Sequence, residues 1–276
     1  MNSHYVLKAA LIVLLSISNL MSQTITIGTI DTEPENKFSK FEALSDYLQN
    51  KLKKNKILIN VEIPKDIDTA ISLIKHNKLD IFIDSVYPTM VVQKATPISI
   101  ELKRWKKGSE GYKSVIFTNK GSKINLMQDL VGKIIAFEDE FSTSAYYIPK
   151  KIIEKHGLIL SNTSGKNAVK YSFSRTENNA AAWVLYKKVD VAVTDDLTYD
   201  SFDKNLFKVI YKSKLIPRHL VSFSKRVNAV LKEKIINILY DMHNDQDGIA
   251  VLKLFSKTKK FSPLTKNDWK ILNELK

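Results

Sequence analysis

Three hydroxyl side chains stand in a row at Ser142, Thr143 and Ser144, inside the stretch FEDEFSTSAYYIPKKIIEKHGL. The stretch predicts a helix that begins at this run and ends at Gly157, because glycine is common just past a helix terminus. The first amides of a helix lack partners within the helix, and the aligned peptide dipoles place about half a positive charge there. Hydroxyl groups beside those amides supply further donors. The run therefore predicts a binding seat for an oxyanion.

Two features of this stretch leave other interpretations open. Serine and threonine are preferred N-cap residues, so one hydroxyl of the run could serve only to cap the helix. Glu138, Asp139 and Glu140 precede the run, and carboxylates near a helix start can themselves satisfy the dipole. They could also bind a cationic group on a ligand whose other end is anionic. Spacing alone does not decide among these roles.

The composition limits the kinds of partner. The chain has 276 residues, of which 44% are hydrophobic and 26% charged, enough for one large domain or two modest lobes with cores. It contains no cysteine, which excludes a disulfide framework, a thiolate nucleophile and a cysteine metal site. The formal net charge of +14 favours small anions or an anionic membrane surface. Nucleic acid is not predicted, because the lysines are scattered and no zinc or RNA-binding motif occurs.

Residues 1–22 differ from the rest of the chain. Lys8 is their only strongly basic residue, and the apolar run AALIVLLSISNLM is short for a membrane span. Small or polar residues around Ser22 could accept cleavage, so the segment predicts a signal peptide. The alternative is an uncleaved N-terminal anchor. In a bacterium with two membranes, export with cleavage predicts a periplasmic protein.

Strand and helix patterns alternate along the chain. TITIGTI predicts a half-buried strand, KFSKFEALSDYLQNKLKK an amphipathic helix, and KILINVEIP, DIDTAISLIKHNK and LDIFID a strand, a helix and a strand. This alternation predicts an α/β fold in which mostly parallel sheets are flanked by helices. A second α/β unit begins near Tyr112 and includes the strand patterns KIIAFED, VKYSFS and VDVAVTDD. After LFKVIYKS the pattern turns to helices.

The two units are predicted to interleave. No linker rich in Gly, Pro or Ser separates them, so we expect the chain to cross between two lobes twice. The predicted lobes are residues 23–113 with 218–276, and residues 114–217. Two crossings close together predict a two-strand hinge.

Four stretches carry a resemblance to a known family: GYKSVIFTNKGSKINLMQDLVGK, FEDEFSTSAYYIPKK, KKVDVAVTDD and VIYKSKLIP. In order and spacing they resemble the phosphate-, phosphite- and phosphonate-binding components of bacterial ABC importers, and the hydroxyl run is the most specific part. The resemblance implies a two-lobed periplasmic-binding-protein fold that closes on its ligand by a hinge. It also implies Ser142, Thr143 and Ser144 as oxyanion donors and Tyr112 as an aromatic, hydrogen-bonding wall.

Other positions match the family less closely. Asp195 falls where the family places a carboxylate that can hold a ligand amine, although a turn-forming aspartate is an equal alternative. The family's tyrosine after the LDIFID strand is replaced by Asp84, with Tyr87 three residues on. A glycine-histidine pair is replaced by SRTENN, where Arg175 or Glu177 could substitute, the arginine for an oxyanion and the glutamate for an amine. Which phosphorus oxyanion is bound stays open.

Two basic segments lie near the crossings. Residues 104–107 read Arg-Trp-Lys-Lys, and we interpret them as a solvated basic loop with one packed tryptophan, with a pocket rim as the alternative. Arg218 and His219 lie on the returning crossing, where hinge residues can face the cleft.

Binding is predicted here rather than catalysis. The five histidines show no metal-ligand spacing and no Gly-x-Ser-x-Gly motif occurs, so we predict no cofactor, metal or catalytic residue. The predicted partners are a small anionic ligand and the membrane permease of an ABC transporter. The alternative is a binding module that reports to a membrane sensor kinase. Closure on ligand would be the same in both.

Overall fold

A computed structural model describes residues 23–163, 165–255 and 257–275, so the predicted signal peptide lies outside the described residues. In chain order the strands are β1 (Gln23–Gly28), β2 (Ile57–Glu62), β3 (Ile81–Asp84), β4 (Ser99–Lys106), β5 (Gly111–Tyr112), β6 (Ser114–Asn119), β7 (Ile134–Phe137), β8 (Ile159–Leu160), β9 (Ala168–Phe173), β10 (Val191–Asp195), β11 (Phe207–Lys212), β12 (Ile216–Pro217), β13 (Leu220–Phe223) and β14 (Thr258–Pro263).

The helices are α1 (Glu35–Lys51), α2 (Ile67–Lys75), α3 (Val86–Ala95), α4 (Ile148–Lys155), α5 (Glu177–Leu185), α6 (Asp196–Asp200), α7 (Ala229–Asp241), α8 (Gln246–Leu254) and α9 (Lys266–Leu275). Short 3-10 turns lie at Lys53–Asn55, Met127–Leu130 and Met242–Asn244, and a π-helical turn lies at Thr143–Tyr147. Within the described part of the chain, none of these helices has both the length and the apolar character needed to cross a membrane.

The first large sheet has the strand order β14-β4-β13-β3-β1-β2. β1 runs parallel to β2 and β3, whereas β13 is antiparallel to β3 and β4. The amphipathic pattern of α1 explains how this helix covers the sheet. Phe41, Leu44 and Leu48 of α1 are buried in one apolar cluster with Ile25 and Ile27 of β1. Each such side chain contributes about 1.5–3 kcal/mol when buried, so the stripe fixes α1 on the sheet.

The second large sheet has the strand order β11-β6-β10-β7-β9-β8. β7 is parallel to β10 and β9, whereas β6 is antiparallel to β10 and β11. Successive residues of a strand point to opposite faces, and here both faces are buried. Ile135 and Val193 lie in the cluster on one face, and Ala136 and Ala192 lie in the cluster on the other. This double burial accounts for the continuous apolar runs in the sequence of these strands.

The chain passes between the two large sheets through a separate two-stranded sheet. β5 and β12 pair antiparallel, with Tyr112 opposite Ile216 and Gly111 opposite Pro217. These two short strands are the two crossings expected of a hinge. The lobe bounds given above, 23–113 with 218–276 and 114–217, stay a prediction.

The solvated loop predicted for residues 104–107 is wrong for Arg104 and Lys106, whereas the alternative of a pocket rim fits Lys106, which lines the cleft. Arg104 and Lys106 belong to β4, and the Arg104 side chain is buried with 3% exposure. The physical reason is β14, an edge strand that pairs antiparallel with β4 in a region whose sequence pattern predicts helices. Trp105 Nε1 donates to Ser262 Oγ of β14 at 2.8 Å. Pairing with a distant strand therefore buries a segment that looks solvated in the sequence.

The last helix, α9, connects the two halves of the molecule. Near its start, the Asp268 carboxylate lies 2.7 Å from the buried Nζ of Lys103 on β4, which also contacts Glu110 at 2.6 Å. At its end, the carbonyl of Leu275 accepts a hydrogen bond from the Tyr147 hydroxyl at 2.6 Å. α9 thus runs from the first sheet to the segment that follows the hydroxyl run.

Candidate functional site

A cleft of about 380 Å³ is lined by residues that follow strands of both large sheets. Asp84 ends β3 and Asp195 ends β10, while Thr29 follows β1 and Ser142 follows β7. In open α/β sheets, ligands bind outside the carboxyl ends of the strands. The volume lies at the lower end of the range for small-molecule sites, about 300–1,000 Å³. The geometry therefore suits a small polar ligand.

The hydroxyl run begins with a π-helical turn, Thr143–Tyr147, and α4 follows it from Ile148. The Tyr147 N–H donates to the Ser142 carbonyl at 2.9 Å, a step of five residues. Such turns are frequent at functional sites. Ser142 Oγ accepts from the Ala145 N–H at 3.1 Å, so Ser142 is the N-cap. The capping alternative thus describes Ser142, whereas Thr143 and Ser144 are buried at the cleft wall.

Tyr112 borders the hydroxyl run as expected. It is buried, lines the cleft and shares a hydrogen bond with the Thr143 hydroxyl. Burial raises the pKa of the Tyr112 phenol, so the phenol stays neutral and able to donate at neutral pH. We call Ser142, Thr143, Ser144 and Tyr112 together the oxyanion seat. The structure brings these four predicted residues into one place.

Tyr87 has a different position from the other predicted residues. It is not part of the cleft lining, although the remaining eight predicted site residues are. Its ring stacks on Tyr147 with centroids 4.3 Å apart and 9° between the planes. Its backbone N–H donates to Thr143 Oγ1 at 2.8 Å. Tyr87 therefore contacts the oxyanion seat through its backbone, and its side chain packs outside the cleft because it has an aromatic partner there.

Asp84 lines the cleft, but the protein already occupies its oxygens. Oδ2 accepts from the Thr29 hydroxyl and the Ile30 N–H, each at 2.9 Å, and Oδ1 accepts from the Ser85 N–H at 2.6 Å. Burial raises the pKa of this carboxyl, and the hydrogen bonds oppose that rise. The contacts indicate that Asp84 holds the loop after β1 against the end of β3.

Asp195 and Glu177 form one hydrogen-bonded group at the start of α6. Glu177 accepts from the Asp195 N–H at 2.7 Å and from the Thr198 hydroxyl at 2.9 Å. Asp195 Oδ1 accepts from the Thr198 N–H at 2.9 Å and lies 3.9 Å from Arg218 Nη2. Burial and the neighbouring Asp195 charge raise the pKa of Glu177. Both carboxylates line the cleft. Asp195 also caps α6, and Glu177 also accepts a backbone hydrogen bond from Asp195.

Arg175 and Glu138 lie together on the side of the second sheet. Arg175 is exposed at the rim and has a left-handed backbone with φ of 70°, and its N–H donates to the Glu138 carbonyl at 2.9 Å. Non-glycine residues in this conformation are uncommon and cluster at functional sites. Burial, together with Glu177 and Asp139, raises the pKa of the Glu138 carboxyl. The cleft therefore has carboxylates beside the seat, where they are placed as expected for binding a cationic group on a ligand.

Comparison with known proteins identifies the family of this chain. A family model described as the periplasmic substrate-binding protein of phosphonate ABC transporters matches residues 27–269. The chain belongs to this family. Its members are substrate-binding components of transport systems.

Relatives of this phosphonate-binding component agree with that assignment. The phosphonates-binding periplasmic protein of Escherichia coli (strain K12) is 26% identical over 272 residues, covering 92% of this chain and 78% of the relative. A Xanthomonas citri protein bound to ATP has 19% identity and a TM-score of 0.84, covering 92% of this chain and 96% of that chain. A Prochlorococcus marinus protein in complex with methylphosphonate has 16% identity and a TM-score of 0.70, covering 92% and 97%. The predicted two-lobed α/β fold is confirmed.

Several cleft residues of this family member were not predicted as a site. Thr29 and Asp31 follow β1, Lys37 and Lys40 lie on α1, and Lys106 ends β4. The loop after β1 had a usable signal, because ligand sites lie at the carboxyl ends of parallel strands. Lys106 had a weaker signal, because its basic segment favoured a solvated loop and a pocket rim was only the alternative. Within the described ranges, no group of acidic or histidine residues is placed to hold a metal ion.

Proposed function

We propose that this chain binds a phosphorus oxyanion, with a phosphonate as the reference ligand, at the oxyanion seat defined above. The observation that carries the proposal is the burial of Thr143 and Ser144 at a helix start that lines the cleft, beside the neutral phenol of Tyr112. Hydroxyl and amide donors at a helix start suit an anion with several oxygens. The E. coli relative is named for phosphonates, and the P. marinus structure holds methylphosphonate. Both agree with this ligand class.

We propose that the chain delivers its ligand to the permease of an ABC importer from the periplasm, after cleavage of residues 1–22. Membership of the transport family supports this partner over a sensor kinase. The predicted lobes would close on the ligand by bending at β5 and β12, as two-lobed binding proteins do. The two parts of the fold already contact each other at the seat, where the Tyr87 N–H donates to Thr143 Oγ1.

The remaining predicted residues fall into two groups, proposed ligand contacts and residues that hold the cleft walls. Arg175 at the rim and Asp195 beside the seat are proposed ligand contacts, the first for an oxyanion and the second for a ligand amine. Asp84 and Glu177 are proposed to act mainly by holding the cleft walls, because their oxygens accept from protein groups.

Thermal unfolding with a ligand panel tests the proposal. The panel is methylphosphonate, 2-aminoethylphosphonate, phosphite and phosphate, with glycine as the control. A ligand at 100 times its dissociation constant stabilises the folded state by about 2.7 kcal/mol, so at least one phosphorus oxyanion should raise the melting temperature clearly. A larger shift with 2-aminoethylphosphonate than with methylphosphonate would support Asp195 as an amine contact. No shift with any phosphorus oxyanion would contradict the proposed ligand class.

A further inference from the structure

Arg218 carries a buried hydrogen-bond donor that is not satisfied within the described residues. It directly follows β12 on the returning crossing, and its side chain is 3% exposed. Nε donates to the Gly111 carbonyl at 3.4 Å, but Nη2 has no hydrogen-bond partner in residues 23–163, 165–255 and 257–275. The 3.9 Å between Nη2 and Asp195 Oδ1 is too long for a hydrogen bond. Buried donors are rarely left without a partner, so this one needs an explanation.

Basic side chains surround Arg218. Lys106 and His219 line the cleft with it, and Arg104 lies behind them on β4. Burial, followed by the charges of Arg104, Lys37 and Arg218, lowers the pKa of Lys106 to about 7. Burial and the same cations lower the pKa of His219 well below its usual value. Both shifts are those expected where like charges share a poorly solvated corner.

Several carboxylates near this corner bond other protein groups. Asp84 accepts three hydrogen bonds from the loops at the ends of β1 and β3. Asp195 Oδ1 caps α6. Glu110 and Asp268 contact Lys103, on the neighbouring position of β4. A guanidinium with an open donor, a lysine and an imidazole therefore meet at the cleft wall.

Tyr112 places this corner next to the oxyanion seat. The Arg218 guanidinium lies 4.8 Å from the centre of the Tyr112 ring, and the phenol of the same residue is hydrogen-bonded to Thr143. The two sites are therefore separated by about one aromatic side chain. They belong to different parts of the fold, because Thr143 follows β7 and Arg218 lies between β12 and β13. One small ligand with two anionic ends can reach both.

We infer that Arg218, Lys106 and His219 form a second anion subsite, which binds a carboxylate carried by the phosphonate ligand. This inference rests on the proposed phosphonate seat and names the substituent of the ligand. Arginine suits the role because its planar fork can donate two parallel hydrogen bonds to a carboxylate. The preferred ligand class is accordingly a phosphonate with a carboxylate a few bonds from phosphorus.

Two probes that differ in one group test the subsite. 3-Phosphonopropionate and propylphosphonate share their carbon chain, but the first ends in a carboxylate and the second in a methyl group. Calorimetric titration of the parent chain should give a dissociation constant about tenfold or more lower for 3-phosphonopropionate, the effect of one charge-assisted hydrogen bond. Arg218→Gln should remove this preference and leave the affinity for propylphosphonate within about threefold, since the seat itself is intact.

Control variants keep the result interpretable. Lys106→Gln removes a second member of the subsite without touching the crossing, and it should reduce the preference even if Arg218→Gln folds poorly. Lys232→Gln removes a lysine that pairs with Glu101 outside the cleft, and it should change neither affinity. Equal binding of the two probes by the parent would overturn the subsite, and so would equal weakening of both by Arg218→Gln and Lys106→Gln. Methylphosphonate binding by a parent that binds neither probe would also overturn the subsite, whereas a parent that binds no phosphorus oxyanion at all would overturn the proposed function.

Discussion

The backbone N–H of Tyr87 donates to the hydroxyl oxygen of Thr143 at 2.8 Å. Tyr87 lies in the first turn of α3, next to the first sheet, and Thr143 opens the π-helical turn after β7 of the second sheet. A residue of the proposed oxyanion seat is thus bonded directly to the opposite part of the fold. Tyr147, one turn further on, reinforces the junction by stacking on the Tyr87 ring.

This junction predicts that Tyr87 affects affinity although its side chain lies outside the cleft lining. Tyr87→Leu keeps an apolar side chain and removes the aromatic stack, which contributes about 0.5–1.5 kcal/mol. Because the stack joins the two parts of the fold beside the seat, methylphosphonate affinity should fall about two- to tenfold. Titration calorimetry measures the change, and Tyr186→Leu, at a tyrosine with 85% exposure, is the control. Unchanged affinity in Tyr87→Leu would show that the stack does not contribute to ligand binding.

Ligand binding should make the protein more compact. The two crossings at β5 and β12 are short and adjacent, which permits the two large sheets to move as bodies about them. Small-angle X-ray scattering should give a smaller radius of gyration at saturating ligand than without ligand. The same radius in both samples would count against hinge closure.

Glu138 should make stability fall as pH rises. Its pKa in the folded state is raised by burial and by Glu177 and Asp139, above an unfolded value of about 4.3. Above about pH 4.3 the folded state keeps a proton that the unfolded state has lost, so the free energy of unfolding decreases with pH until the folded pKa is passed. Glu138→Gln cannot ionise. The free energy of unfolding of Glu138→Gln should therefore exceed that of the parent by an amount that grows between about pH 4 and pH 8.

Urea unfolding at several pH values measures this gain. Glu140→Gln, at an exposed carboxylate two residues further on, is the matched control and should stay within about 0.5 kcal/mol of the parent throughout. A constant difference between Glu138→Gln and the parent across this range would contradict a raised pKa at Glu138.

The contact between α9 and β4 should contribute strongly to stability. Lys103 Nζ is buried between Asp268 and Glu110, and burial of an unpaired charge is unfavourable. Asp268→Asn keeps the side-chain shape and removes one of the two carboxylates. We expect a loss of about 3 kcal/mol in the free energy of unfolding, because Glu110 remains. Glu101→Gln breaks the partly exposed pair with Lys232 and should cost about 1 kcal/mol or less. Similar losses in the two variants would refute the role given to Lys103.

The fold and the place of the hydroxyl run at a helix start were predictable because their signals are local. The alternation of apolar residues in β1 and the stripe of α1 follow from the periods of strand and helix, and hydroxyls at a helix start have few roles. These predictions depended on neighbouring residues only.

The missed features depend on contacts between distant residues. β14 is rich in lysine and has a weak strand pattern, and its pairing with β4 is what buries Arg104. Asp84 Oδ2 accepts hydrogen bonds from Thr29 and Ile30, more than 50 positions away, and its prediction as a ligand contact took no account of these partners. No window of sequence contains both partners of such contacts, so spacing could not reveal them.

Titration of the hydroxyl variants tests the oxyanion seat most directly. Ser144→Ala should weaken binding of the best ligand about ten- to a hundredfold, because it removes a hydrogen bond to a charged oxygen worth about 1.5–3 kcal/mol. Thr143→Val should weaken binding by at least as much, because it also removes the acceptor of the Tyr87 N–H. Ser142→Ala should in addition lower the free energy of unfolding by about 1 kcal/mol, because Ser142 caps the turn. Calorimetry with melts of each variant separates the two effects. If Thr143→Val and Ser144→Ala bind the ligand as tightly as the parent, the oxyanion does not bind at this helix start.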